Sequence, residues 1–161
     1  MGKYTNIEYE RRFLLRQLPE NILHGEDKEI EDWYIQGSML RLRKTIKNQE
    51  IVFKLTQKRE SVAGDRSKHE LTTIYIDKAI FEQLKAKLPG IPLYKTRKYF
   101  QRNGKKLGVD VITLQQKQIL ILEVEFKSAE ELLLFEFPAL DITHDYTYSG
   151  YQLAILQHKK E

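Results

Sequence analysis

The sequence contains no cysteine, and only one tryptophan and four prolines occur among its 161 residues. Without cysteine, neither a disulfide framework nor a thiolate metal site can form. No apolar run approaches the length of a membrane span, and the N-terminus lacks the apolar stretch of a signal peptide. These absences favour a cytoplasmic protein that has no membrane partner.

Charged residues make up 31% of the chain, with 27 Lys and Arg against 23 Asp and Glu. This small basic excess indicates an anionic partner, but it is too small to require nucleic acid. The chain is long enough to bury a core, and no repeat, low-complexity tract or flexible linker divides it. We therefore predict a single domain that spans residues 1–161.

Alternation of apolar and polar residues dominates the sequence and predicts many strands. Turn-like segments such as Gln36-Gly37-Ser38 and Asn103-Gly104-Lys105 separate several of them. Tandem hairpins of this kind favour an antiparallel sheet or barrel. The predicted strands are Ile7–Leu15, Ile30–Ile35, Met39–Thr45, Glu50–Gln57, Lys68–Ile76, Leu93–Asn103, Lys106–Leu114 and Gln118–Phe126.

Helix signals are fewer. Asp77, Ser128 and Ser149 are each suited to cap a helix N-terminus, the second helix ending before Pro138. A short helical turn is also expected near Pro19–Leu23. Together these elements predict an α+β protein that is mainly antiparallel β, with a few peripheral helices.

The strands carry charges in like-signed pairs. Because successive strand side chains point to opposite faces, Glu8 and Glu10 share one face, as do Arg41 and Arg43. A solvated face would explain any one strand. A solubilising surface, however, usually mixes the two signs. The pairs are Glu8/Glu10, Arg41/Arg43, Lys95/Arg97 and Glu123/Glu125, and Lys54 and Lys58 also share a face with Thr56.

Paired charges of this kind suit polyphosphate chemistry. Arginine and lysine donors match the closely spaced oxygens of a polyphosphate, and arginine can bind them in a bidentate manner. Hard divalent cations take oxygen ligands and bridge carboxylates to phosphates. If cationic and acidic strands surrounded one cavity, metal and phosphate would bring the opposite charges together.

The segment Glu8–Leu15 resembles the Glu-x-Glu-x-Lys signature that opens the CYTH, or triphosphate tunnel metalloenzyme, superfamily. Further resemblances follow in the family's order over nearly the whole chain. Each one is weak alone, and the ordered set is specific. They are Met39–Lys44, Leu55–Lys58, Lys68–Glu70, Lys95–Arg97, Val109–Val111, Glu123–Phe126, Thr143–Asp145, Tyr148-Ser149 and Leu153-Ala154.

The resemblance implies an eight-stranded closed barrel around a charged tunnel, in which triphosphate substrates are hydrolysed with Mg²⁺ or Mn²⁺. It implies catalytic roles for Arg12 and Tyr34, although Tyr34 is equally well explained as an aromatic residue packed beside Trp33. The implied phosphate ligands are Arg12, Arg41, Arg43, Lys54, Lys58, Lys95 and Arg97, and the implied metal ligands are Glu8, Glu10, Glu70, Asp110, Glu123 and Glu125.

Three departures from the family pattern bear on activity. Arg12 replaces the signature lysine, and arginine stays protonated and cannot act as a general base. Thr72 stands where many members have a second glutamate, and Lys68 replaces an arginine. The four histidines are expected to be surface or structural residues, since no two have metal-ligand spacing.

Alternative functions therefore stay open. One is a class IV-type adenylyl cyclase on the same fold, and another is a non-catalytic polyphosphate- or nucleotide-binding module. RNA binding through the cationic strands is a weaker alternative, so a nucleic-acid partner is not favoured. The expected partner is a small molecule that contains a triphosphate, and a homodimer is compatible with the sequence.

Overall fold

The computed structural model describes residues 1–160, and within them nine strands form one antiparallel sheet. The sheet order is β5-β4-β3-β2-β6-β7-β8-β1-β9, and β1 also pairs with β5, so eight strands close into a barrel and confirm that prediction. The ninth strand pairs with the half of β1 that β5 does not reach. The strands are β1 (Asn6–Leu15), β2 (Lys28–Ile35), β3 (Leu40–Lys47), β4 (Glu50–Glu60), β5 (Lys68–Ile76), β6 (Gly90–Arg102), β7 (Lys105–Leu114), β8 (Lys117–Phe126) and β9 (Leu140–Asp141).

Three helices flank the barrel: α1 (Lys78–Lys87), α2 (Ala129–Leu134) and α3 (Gly150–His158). Each begins at its predicted cap, where the side chain of Asp77, Ser128 or Ser149 accepts a hydrogen bond from the backbone N–H three residues later. Helix α2 ends four residues before Pro138. None of the helices in residues 1–160 combines the length and the apolar character needed to cross a lipid bilayer.

The predicted helical turn near Pro19–Leu23 is wrong. Ile22 instead forms an isolated β-bridge with Phe100, and the Leu23 backbone N–H donates to the Tyr99 carbonyl at 2.8 Å. The backbone groups of this segment thus bond to β6 rather than to each other. A short 3-10 helix, Tyr146–Tyr148, leads into α3 and was not predicted from the sequence.

Apolar clusters cover the outside of the barrel on two sides. Helix α1 packs Phe81 against Leu42 and Phe53 of the β3–β4 hairpin. On the other side, Phe13 and Leu122 lie beneath α2 and the segment that follows it. These apolar strand side chains face outward from the barrel. Because side chains alternate along a strand, their neighbours in the same strands point into the barrel.

One end of the barrel interior is filled by apolar side chains. Leu93, Ile112 and Ile121 lie on the inward faces of their strands and pack against Leu153 and Ala154 of α3. All five are almost fully buried. Helix α3 therefore plugs the interior at this end and confines the charged residues to the remainder.

Candidate active site

The charged strand faces line a cavity of about 740 Å³ inside the barrel, which we call the tunnel. Period-two alternation places them there, because their apolar neighbours along each strand face the outer clusters. The titratable side chains that line it, tyrosines aside, are Glu8, Glu10, Arg12, Arg41, Arg43, Lys58, Glu60, Arg66, His69, Lys95, Arg97, Glu123 and Glu125.

Two arginines of β3 are held by a buried carboxylate that the sequence analysis missed. Asp32 has no exposed surface, and Arg43 donates to both of its oxygens at 2.5 and 2.7 Å. Nε of Arg41 lies 3.6 Å from Asp32 Oδ1. Burial opposes ionisation of Asp32, but the two arginines outweigh it and lower its pKa. The sequence signal that could have identified Asp32 is its position on the same strand face as Tyr34.

Arg41 is the less engaged member of this pair. Its Nε is buried and has no hydrogen-bond partner within residues 1–160. The side chain also lines the tunnel. A buried donor without a partner is costly, so this group is suited to donate a hydrogen bond to an anionic acceptor such as a phosphate oxygen.

Asp110 organises a second pair of cations on β6. Lys95 Nζ lies 2.6 Å from Asp110 Oδ2, and Arg97 Nε lies 2.6 Å from Oδ1. The resemblance implied a metal-binding role for Asp110. In the structure it does not line the tunnel, and both oxygens are bound by cations, whose attraction outweighs burial and lowers its pKa. Asp110 thus positions Lys95 and Arg97 through these two ion pairs.

The absence of a side chain at Gly108 leaves room for the side chain of Arg97. A Cβ at Gly108 would lie 3.0 Å from Cδ of Arg97, tighter than ordinary contact. Because the position is bare, Arg97 lies across β7 and reaches Glu123 as well, at 3.3 Å.

Carboxylates form the opposite wall on β1 and β8. The pairing of these strands sets Glu10 directly opposite Glu125. Lys58 Nζ lies between Glu8 and Glu10, at 2.9 and 3.0 Å. Burial, reinforced by Glu10, raises the pKa of Glu8 to about 7, against the attraction of Lys58. Burial also opposes ionisation of Glu10, but Lys58 prevails and lowers its pKa.

His69 is a further tunnel residue that sequence reasoning missed. It lies directly opposite Glu8 in the β1–β5 pairing, and its Nδ1 is 3.8 Å from Glu10 Oε1. Burial and the charge of Lys58 lower the pKa of His69 to about 4, so its imidazole is neutral at neutral pH. One ligand atom from each of Glu8, Glu10 and His69 lies within 4.8 Å of the others.

Glu70, by contrast, is not brought to the other implied metal ligands. It faces outward, where Arg59 Nε donates to it at 2.6 Å, and it lies in an outer groove with Thr72. The register of β5 against β1 and β4 turns His69 and Leu71 inward, so the residues next to them point out. The departure at Thr72 thus falls outside the tunnel.

Lys54 and Arg12 are placed differently from each other. Lys54 has the same strand parity as Lys58, but its Nζ lies over the ring of Tyr75 and it does not line the tunnel. Arg12 does line it, held by a 2.8 Å hydrogen bond to the Tyr148 carbonyl.

Arg66, in the loop between β4 and β5, is another tunnel cation that was not predicted. Its guanidinium stacks on the ring of Tyr146 at 4.5 Å and lies 3.7 Å from Glu60. Its Nη1 is buried without a hydrogen-bond partner in the described part of the chain. Because Arg66 lies in a loop, strand periodicity carries no signal for it.

Tyr34 lines the tunnel and packs edge-on against Tyr151, with the ring centroids 6.2 Å apart. Trp33 faces the other way and donates to the Leu88 carbonyl at the end of α1. Burial raises the pKa of Tyr34, so its hydroxyl stays protonated. The hydroxyl occupies the space above Gly150, where a Cβ would lie 1.8 Å from it.

Replacing Gly150 with alanine should therefore destabilise the protein by about 1–3 kcal/mol, as overpacking does. Alanine is otherwise the better helix residue, so the loss would come from the collision with Tyr34. Urea unfolding measures it. Combining the change with Tyr34→Leu should recover part of the loss, and additive losses in the double variant would contradict the contact.

The sequence matches no protein-family model and no curated protein. Solved structures, however, share its fold. NE1496, solved as an inorganic triphosphatase, has 25% identity and a TM-score of 0.59, covering 92% of this chain and 94% of that chain. Another structure of NE1496 aligns with 27% identity over 92% and 97% of the two chains, also at 0.59. PH1819 from Pyrococcus horikoshii OT3 has 18% identity over 78% and 82%, with a TM-score of 0.57.

Proposed function

We propose that this chain, which has the fold and the ionic tunnel of the triphosphate tunnel metalloenzymes, hydrolyses triphosphate substrates with the help of a divalent metal ion. The observation that carries the proposal is the enclosure of three arginines and one lysine of β3 and β6 opposite the glutamates of β1 and β8. The likeness to NE1496, solved as an inorganic triphosphatase, supports the same chemistry.

The charge balance of the tunnel favours a metal-dependent substrate. Among the described residues, seven lysines and arginines line the tunnel against five glutamates, and Asp32 and Asp110 lie buried behind them. With all of these groups ionised, the tunnel carries no net positive charge. The glutamates would repel a polyanion that carries no metal ion. A cation bound to the glutamates would remove that repulsion.

The donor set fits such a cation. Glu8, Glu10, Glu123 and Glu125 offer carboxylate oxygens to the tunnel, and the first two lie close to each other and to His69. Bound there, Mg²⁺ or Mn²⁺ would neutralise charge on the transferred phosphoryl group and polarise its oxygens or a water molecule.

The cations of the chain would bind and orient the phosphates. Arg41, Arg43, Lys95 and Arg97 are held in place before substrate arrives by the two buried aspartates. Such prearranged donors stabilise developing charge without reorganising during the reaction. Arg12 would add a permanent positive charge but cannot take a proton from water. The protonated hydroxyl of Tyr34 could donate to a phosphate oxygen.

A phosphate-release screen over tripolyphosphate, nucleoside triphosphates and thiamine triphosphate, with Mg²⁺ or Mn²⁺, tests the proposal. We expect orthophosphate release that EDTA abolishes. Cyclic AMP formed from ATP would instead favour the cyclase. Tight binding of tripolyphosphate without turnover would favour the binding module.

Glu8→Gln and Glu70→Gln form a matched pair for this screen, because one lies in the tunnel and the other outside it. Glu8→Gln should abolish the metal-dependent release, and Glu70→Gln should retain it. The reverse outcome would restore the role of Glu70 that the sequence motif implied.

A further inference from the structure

His69 is a buried histidine whose Nδ1 faces carboxylates and has no hydrogen-bond partner among the described residues. The residue is 4% exposed, and its Nδ1 is buried without a hydrogen bond within residues 1–160. A buried polar atom without a partner carries a desolvation cost, so its retention needs an explanation. The nearest acidic oxygen, Glu10 Oε1, is 3.8 Å away, beyond hydrogen-bonding distance.

We propose that His69 is a nitrogen ligand in a mixed site with Glu8 and Glu10, and that it makes the tunnel prefer Mn²⁺ or Co²⁺ to Mg²⁺. The proposal rests on the divalent-metal function proposed above and specifies which ion serves it. The three ligand atoms lie within 4.8 Å of one another, so small side-chain rotations would bring all three to one ion.

The backbone pairing explains how the site is assembled. Glu8 and His69 are directly opposite each other in the short β1–β5 contact that closes the barrel, and Glu10 is the next inward residue along β1. Opposite side chains in such a pair lie close enough to share a ligand. On β5 the neighbouring acid, Glu70, points outward, so His69 is the ligand that this strand offers the cluster.

The two carboxylates already attract a cation, because the Lys58 ammonium lies within hydrogen-bonding distance of both. A divalent ion bound between them would displace this ammonium. Imidazole binds first-row transition metals with an affinity that rises from Mn²⁺ to Co²⁺, whereas Mg²⁺ prefers oxygen ligands throughout. The histidine beside the two carboxylates should therefore shift selectivity from Mg²⁺ towards Mn²⁺ and, more strongly, Co²⁺.

Calorimetric titration of the substrate-free protein with MnCl₂, CoCl₂ and MgCl₂ tests the selectivity. His69→Gln should weaken Mn²⁺ and Co²⁺ binding by about tenfold or more, and Mg²⁺ binding by less than about threefold. His24→Gln, at an exposed loop position, is the matched control and should bind like the wild type. Equal losses for all three ions in His69→Gln would overturn the proposed selectivity.

A spectroscopic measurement on the wild type does not depend on the variant folding. Pulsed EPR of bound Mn²⁺ should show coupling to a histidine nitrogen, and the coupling should change when the protein is labelled with ¹⁵N-histidine. Bound Mn²⁺ without nitrogen coupling would overturn the role of His69 and leave the metal-dependent function standing. Failure of all three ions to bind, together with phosphate release that EDTA does not reduce, would overturn both.

Discussion

Replacing Arg41 with alanine should lower kcat/KM for tripolyphosphate by about 100- to 1000-fold, the loss typical of removing one prearranged charge-stabilising donor. Arg41 lines the tunnel, and its buried Nε has no hydrogen-bond partner in the described part of the chain, so a phosphate oxygen is the acceptor it lacks. Steady-state phosphate release with Mn²⁺ measures the effect. Arg41→Lys should recover only part of the rate, because lysine loses the bidentate geometry.

Arg59→Ala is the control for this experiment. Arg59 is next to Lys58 on β4 but faces outward, where it is half exposed and pairs with Glu70. Its removal should leave turnover within about twofold of the wild type, since exposed ion pairs contribute little. Unimpaired turnover in a folded Arg41→Ala variant would contradict the phosphate-binding role of the β3 arginines.

Asp32→Asn should destabilise the fold by about 3–5 kcal/mol, because it leaves two largely buried arginines without their counter-charge. Arg43 loses two charge-assisted contacts and Arg41 loses its nearest carboxylate. For a chain of this length, the melting temperature should fall by about 10 °C. Urea unfolding in EDTA measures the change without stabilisation by bound metal.

The comparison variant is Asp27→Asn. Asp27 also forms a 2.6 Å ion pair, with Lys98, but its side chain is 38% exposed. Solvent screens such a pair, so its loss should cost less than about 1 kcal/mol. Equal destabilisation by the two changes would mean that Asp32 does not act as the buried anchor of the tunnel arginines.

Much of the fold could be predicted from local patterns. Alternation located the eight barrel strands, and the capping signals of Asp77, Ser128 and Ser149 located the three helices. These features depend on neighbouring residues in the chain, so the sequence contains them directly. The segment Pro19–Leu23 failed because its backbone partners lie on β6, far away in sequence.

The candidate site was predicted less completely. Motif matching chose Glu70 on β5, but the register of the closed barrel turns His69 inward instead. A shift of one residue exchanges the two faces of a strand, and a motif cannot determine which face is enclosed. Asp32 was missed because no second acid shares its strand face, and Arg66 was missed because it lies in a loop.

By itself, the sequence determined that strands would carry paired acids and paired bases, and that these residue types suit a metal and a polyphosphate. The tertiary structure decided which charges meet. Strand pairing set Glu8 beside His69 and placed Asp32 and Asp110 behind the cations. The packing of α3 filled one end of the barrel. Those contacts join residues far apart in the chain, and only the closure of the barrel fixes their distances.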